Sequence, residues 1–282
     1  MTKVDREQER IHERELLSKK LLSEHEYDLC NILDHCGDEI DLTCVACGNR
    51  THAAVRCKKR WCPSCAYYVA VERVAKYRHA ASCFRWPLFV TLTVPNTVDV
   101  EGLKRIKTAW GKFRRRKLVR DKVKSGIVGF EVTNKGNGWH PHIHALLDCR
   151  WLSIWVPEPN RGDNEEEKRR KFTAAAEELG AIWSECAGHD KCSVLARRAD
   201  KDALVEVLKY SCKGSELIDC KDAVGPLIHL MQNMRLMTTF GEIRKFKKDE
   251  DCEDSTGGCT CKNCAATGTI IPTSSVNYLM RS

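Results

Sequence analysis

The chain has 282 residues, and 47 lysines and arginines against 39 acidic residues leave a formal charge of +8. An apolar share of 42% with 30% charged residues fits a folding chain long enough to bury a core, and argues against intrinsic disorder. No run approaches the roughly 20 apolar residues that cross a bilayer. The opening MTKVDREQERIHERELL has no apolar export segment, so a cytoplasmic protein without a membrane partner is expected.

In chain order, the first 28 residues are highly charged, with Leu16, Leu17, Leu21 and Leu22 at helical spacing, and read as an exposed helical extension. A turn-rich stretch rich in cysteine follows from about Cys44 to Cys65, then a helix from Tyr67 to about Ala81. PLFVTLTV (87–94), closed by Pro95-Asn96, reads as a strand. A long basic helix is predicted from about Asp99 to Lys124. Its residues 104–124 carry eleven lysines and arginines against one acid, Asp121, and Arg114, Arg115 and Arg116 are candidates for contacting DNA phosphates.

GIVGFEVT (126–133) and WHPHIHALL (139–147) read as two arms of a hairpin joined by NKGNG, with strong turn chemistry. A loop over 150–164, a helix over 164–186, a strand over 192–198 and a helix from Asp200 to about Lys213 come next. A helix near 224–234 and a strand over 237–246 precede a cysteine-rich tail. Residues 87–198 thus give the order β-α-β-β-α-β, which predicts an α+β fold with a ferredoxin-like antiparallel sheet. Four regions are expected: a charged helical extension (1–40), a zinc-binding module and helix (41–84), a catalytic domain (85–248) and a C-terminal cysteine cluster with its tail (249–282).

His140, His142 and His144 alternate, so on a strand all three face one way. Three imidazoles on one face are hard to satisfy by packing, whereas a divalent cation satisfies several at once. Glu131 lies on the preceding arm, in reach of them across the hairpin. Imidazole nitrogens with a carboxylate suit Mn²⁺ or Mg²⁺ and leave positions for phosphate oxygens.

Phosphoryl transfer also needs a nucleophile. On a helix through DKDALVEVLKYSCKG (200–214), Glu206, Tyr210 and Lys213 share one stripe at i, i+4 and i+7. Lys209 and Lys213 would favour the phenolate of Tyr210, and Lys209 can also contact DNA phosphate.

FVTLTVPN (89–96), EVT (131–133), HPHIHALL (140–147) and EVLKYSCK (206–213) resemble the ordered motifs of HUH endonucleases, more narrowly the single-tyrosine Rep initiators of rolling-circle plasmid replication. The likeness spans roughly Cys44 to Lys247. It implies a metal site at His142 and His144, completed by His140 or Glu131, and a catalytic tyrosine at Tyr210. It further implies nicking of single-stranded or hairpin origin DNA through a 5′-phosphotyrosine link that leaves a free 3′-hydroxyl as primer. Glu206 stands where one branch of these initiators places a glutamate that activates water when replication ends. No Walker-type phosphate loop is present in the sequence, so a host helicase is expected alongside a host polymerase.

Cys44 and Cys47 with Cys62 and Cys65 give C-x2-C-x14-C-x2-C, a strong zinc signature for which Cys57 and His52 are plausible substitute ligands. Cys252, Cys259, Cys261 and Cys264 suggest a second structural Zn²⁺. Two alternatives stay open: a single-strand DNA transposase or relaxase on the same core, and a zinc-containing DNA-binding protein without catalysis.

Overall fold

The computed structural model describes residues 3–156, 165–209, 214–245 and 270–272. In chain order its elements are α1 (Lys3–Ser23), α2 (Tyr27–Asp34), β1 (Glu39–Cys44), β2 (Arg50–Ala54), α3 (Pro63–Ser82) and β3 (Pro87–Thr93). Then follow α4 (Gly102–Arg115), α5 (Lys117–Lys122), β4 (Ser125–Asn134), β5 (Trp139–Asp148), α6 (Arg150–Ser153), α7 (Glu165–Ala187) and β6 (Ser193–Arg198). The chain continues through α8 (Ala203–Leu208), α9 (Gly214–Asp219), α10 (Gly225–Gln232), β7 (Met237–Gly241) and β8 (Ile270–Pro272).

The fold is α+β. Its centre is a five-stranded antiparallel sheet in the order β6-β3-β5-β4-β7, and a smaller sheet has the order β2-β1-β8. The β4–β5 hairpin is its longest pair. Asn134 opens the turn with an Asx bond in which its side-chain oxygen accepts from the Gly136 amide at 2.9 Å, and Gly136 takes the left-handed φ of 91° that the turn needs. Asn134 pairs with Trp139, and this register sets Glu131 opposite His142 and Gly129 opposite His144.

Alternation along the strands divides the two faces. Val90, Leu92, Val128, Phe130, Val132 and Ile143 face a core shared with Ile106, Trp110 and Phe113 of α4 and Leu179 and Trp183 of α7. The opposite face is apolar at one end only: Phe89, Ile127 and Leu146 meet Ala80 of α3, Phe84, and Leu204, Val207 and Leu208 of α8. Beyond them the same face turns polar, with Thr91, Thr93, Glu131 and the histidines.

Three elements depart from the sequence-based expectation. The charged helix α1 is docked rather than exposed: Leu17 and Leu21 are fully buried with Leu29 and Leu33 of α2. Ser18 donates to Asp34 at 2.7 Å, and Glu24 accepts from the Val224 and Gly225 amides at the start of α10. The basic helix breaks at Arg116 (φ −60°, ψ 138°). Its buried positions Leu103, Ile106, Trp110 and Phe113 would continue onto Lys117 and Arg120, so the chain must turn to bury Val119 instead. Helix α8 stops at Leu208, and Lys209 is extended (φ −60°, ψ −163°). Valines at 205 and 207 lower the helix propensity of α8.

Candidate metal and phosphate site

Glu131, His142 and His144 converge on the half-covered sheet face. Glu131 Oε2 lies 3.2 Å from His142 Nε2 and 3.1 Å from His144 Nε2. A divalent ion with bonds of about 2.1 Å in an octahedral arrangement sets adjacent donors about 3.0 Å apart, so these residues fit one. Glu131 and His142 are buried, at 5% and 8% exposure. Burial alone would raise the Glu131 carboxyl. Hydrogen bonds from His142 and His144, with the charges of His142 and Lys209, outweigh that and hold it well below the usual carboxylate range.

The outer nitrogens of both rings are engaged. His142 Nδ1 donates to the His140 carbonyl at 3.2 Å, since a carbonyl only accepts, which leaves Nε2 as the nitrogen that meets Glu131 and would bind a cation on losing its proton. His144 Nδ1 lies 3.1 Å from Thr91 Oγ1, and its ring stacks on Phe89 with centroids 5.5 Å apart. Thr91→Val is expected to weaken Mn²⁺ binding by about 10–100-fold, read by calorimetric titration, with Thr91→Ser close to wild type. Equal affinity for Thr91→Val would remove the hydroxyl from the site.

His140 does not join this trio. Its ring stands beside His142, centroids 5.5 Å apart, while its Nδ1 lies 2.8 Å from Asn96 Oδ1. Burial, then the charges of His142 and Lys135, hold its pKa below the ordinary imidazole value.

A hollow beside the trio is lined by Arg73, Glu131, His144, Glu206 and Lys209. Helix α8 reaches it because residue 129 is glycine: a Cβ there would lie 2.2 Å from the Val207 carbonyl oxygen. Gly129→Ala is therefore expected to cost about 1–3 kcal/mol in urea unfolding, because α8 must move away from the sheet. Unchanged stability would contradict this close approach. Glu206 is at the hollow, but its carboxylate accepts from Arg197 at 2.8 Å, and the Arg197 guanidinium lies 4.2 Å above the Phe89 ring. Helix α8 ends at Leu208, short of the expected helix to about Lys213. Tyr210 and Lys213 themselves lie outside the described residues.

The arginines expected to bind DNA do not share this face. Helix α4 packs on the opposite side of the sheet; Arg114 stacks over Phe240, and Arg116 pairs with Glu185 and donates to Cys186 Sγ. Lys209, by contrast, lines the hollow.

A second donor cluster lies at the start of α3. Cys62 and Cys65 meet, but with Cys36 and Cys57 in place of Cys44 and Cys47. Sulfur–sulfur distances within it are 3.4 Å for Cys36–Cys65, 3.6 Å for Cys57–Cys65 and 3.7 Å for Cys36–Cys62. A tetrahedral ion with bonds of about 2.3 Å to sulfur needs sulfurs about 3.8 Å apart, which these four thiols meet. Hydrogen bonds from Cys57, Cys62 and Cys65 push the Cys36 thiol down, and the contact with Cys36 foremost pushes Cys57 up. The spacing misled because Cys44 and Cys47 belong to the β1–β2 hairpin, whereas Cys36 follows α2, which α1 brings against the start of α3. Cys62 caps α3 and Pro63 opens it. Cys252, Cys259, Cys261 and Cys264 lie outside the described residues.

Among the described residues no helix is long and apolar enough to cross a membrane. Residues 48–150, from the β1–β2 turn through β5, match a family described as Replication protein. A "Protein rep" of Staphylococcus aureus is 23% identical over 184 residues, covering 60% of this chain and 74% of that protein. Proteins named "Replication protein" from Staphylococcus aureus and from a Bacillus species are each 39% identical over 69 residues, 22% of this chain and 29% of their own length. No solved structure matches the chain.

Proposed function

We propose that this chain, whose residues 48–150 match the replication-protein family, initiates rolling-circle plasmid replication in the cytoplasm by nicking single-stranded or hairpin origin DNA. The observation that carries this reading is the convergence of Glu131, His142 and His144 beside a hollow bearing Arg73 and Lys209. Buried carboxylate and imidazole donors next to cations suit a phosphodiester approached from two sides. The mixed oxygen and nitrogen donors fit Mn²⁺ or Mg²⁺, and the four thiols Cys36, Cys57, Cys62 and Cys65 fit a structural Zn²⁺.

Glu131, His142 and His144 would hold a divalent ion, which would supply Lewis-acid polarisation of a phosphoryl oxygen. The protein's own groups do the rest. Arg73 and Lys209 offset the negative charge of the bound phosphate, and Tyr210 directly follows Lys209 in the chain. The phenolic oxygen of Tyr210 gives up its proton to solvent and attacks phosphorus. The bond from phosphorus to the 3′ oxygen breaks, and that oxygen takes a proton, leaving a 5′-phosphotyrosine link and a 3′-hydroxyl for a host polymerase. Lys213 lowers the cost of the phenolate. Glu206 serves as base for a terminating water once its pair with Arg197 opens. Strand opening is supplied by a host helicase.

Incubation with single-stranded oligonucleotides of the plasmid origin and Mn²⁺, followed by denaturing electrophoresis, tests this. A covalent protein–DNA adduct is expected from the wild type and none from Tyr210→Phe or from His142→Ala with His144→Ala. A wild type that binds the DNA but forms no adduct would overturn the nicking reading.

A further inference from the structure

The short loop that joins two ligands of the cysteine cluster carries Lys58, Lys59, Arg60 and Trp61. These four residues line a hollow closed on its other side by Met231 and Gln232 of α10. Trp61 is buried, at 3% exposure, yet its indole N–H meets no acceptor among the described residues. A buried donor left unmatched costs about 1–3 kcal/mol, so an acceptor entering here would be favoured.

Charge points to the same occupant. Arg60 and Arg235 both stand near Lys107 of α4. The Lys107 ammonium is held below its ordinary value by burial first, then by the charges of Arg235 and Arg60. Among the described residues none of Lys58, Lys59, Arg60, Lys107 and Arg235 forms an ion pair with an acid. Crowded cations without acids repel one another, and an anion relieves that repulsion. The cluster also joins the site described above. Arg73, which lines the hollow of Glu131 and His144, is lowered by burial and then by the charge of Arg60.

We propose that this cationic strip, from Arg73 through Arg60 to Lys58, Lys59, Lys107 and Arg235, is a second contact for the phosphate backbone of single-stranded DNA, away from the reacting phosphate. The Trp61 N–H donates to a phosphate oxygen in the loop hollow. A row of cations leading away from a phosphate site matches the repeat of a polyanion better than it matches a lone small anion. The assignment rests on the nicking reading and places the strand's path over the cysteine loop instead of over Arg114–Arg116.

Fluorescence anisotropy with a long strand of about 16 nucleotides and a short one of about 4, across a salt series, tests it. Changing Lys58, Lys59, Lys107 and Arg235 together to alanine is expected to flatten the plot of log affinity against log salt by about 0.7 per lost contact. The affinity loss should be greater for the long strand, and variants that exchange lysine and arginine at these positions should keep the wild-type slope. An alanine variant that stays folded by circular dichroism but keeps the wild-type slope would overturn the proposal. So would competition by inorganic phosphate at the loop with no effect on oligonucleotide binding. This slope change in the alanine variant, with no adduct from the wild type, sinks the nicking reading alone. An adduct with an unchanged slope sinks the strip alone.

Discussion

Glu131→Gln is expected to reduce Mn²⁺-dependent cleavage by about 10³-fold or more while leaving the protein folded. The amide keeps the size and position of the carboxylate but removes the negative charge between His142 and His144, from which Oε2 is 3.2 and 3.1 Å away. The new amide N–H can donate to a bare imidazole nitrogen, so metal-free stability should hold. Metal binding to the native state raises the melting temperature by mass action, and that increment should vanish in the variant. Normal cleavage with a wild-type Mn²⁺ increment in melting temperature would exclude Glu131 as a ligand.

The second large effect belongs to the thiol cluster. Cys36→Ser is expected to release the bound ion and to cost about 4 kcal/mol or more, because metal loss is among the few single changes with that effect. The start of α3 depends on the cluster through Cys62, and α3 in turn covers α8 and carries Arg73 to the hollow. Cleavage should therefore fall as well, even though Cys36 touches no substrate. Cys44→Ser should leave the ion of this cluster in place, and Cys83→Ser, at an exposed position, should be neutral. Metal content and urea unfolding of the three variants decide the matter. Loss of the cluster's ion in Cys44→Ser with retention in Cys36→Ser would restore the spacing-based ligand set.

Residue patterns made the sheet readable. Alternation in PLFVTLTV, GIVGFEVT and HPHIHALL fixed which residues share a face, and NKGNG fixed the register that sets Glu131 against His142. Local pattern also placed α7 and β6 within a residue or two. What escaped was set by packing over long sequence distances. Cys36 carries no spacing signal, since its partners begin 21 residues later at Cys57. Leucines 17 and 21 looked like the stripe of a free helix, but α2 and α3 bury them. Neither the end of α8 at Leu208 nor its close approach to Gly129 is revealed by helical periodicity. Arg197 and Arg73 were equally hidden: each is an ordinary surface arginine by sequence, and only strand pairing and the docking of α3 bring them to the site.

A crystal structure of Tyr210→Phe with an origin oligonucleotide and Mn²⁺, with data collected at the manganese edge, tests the central claim most directly. The anomalous peak is expected about 2.1–2.3 Å from Glu131 Oε2, His142 Nε2 and His144 Nε2. The edge of the substituted aromatic ring at position 210 should lie about 3–4 Å from a phosphorus atom. A manganese peak bound elsewhere, or a ring at that position turned away from every phosphate, would contradict it.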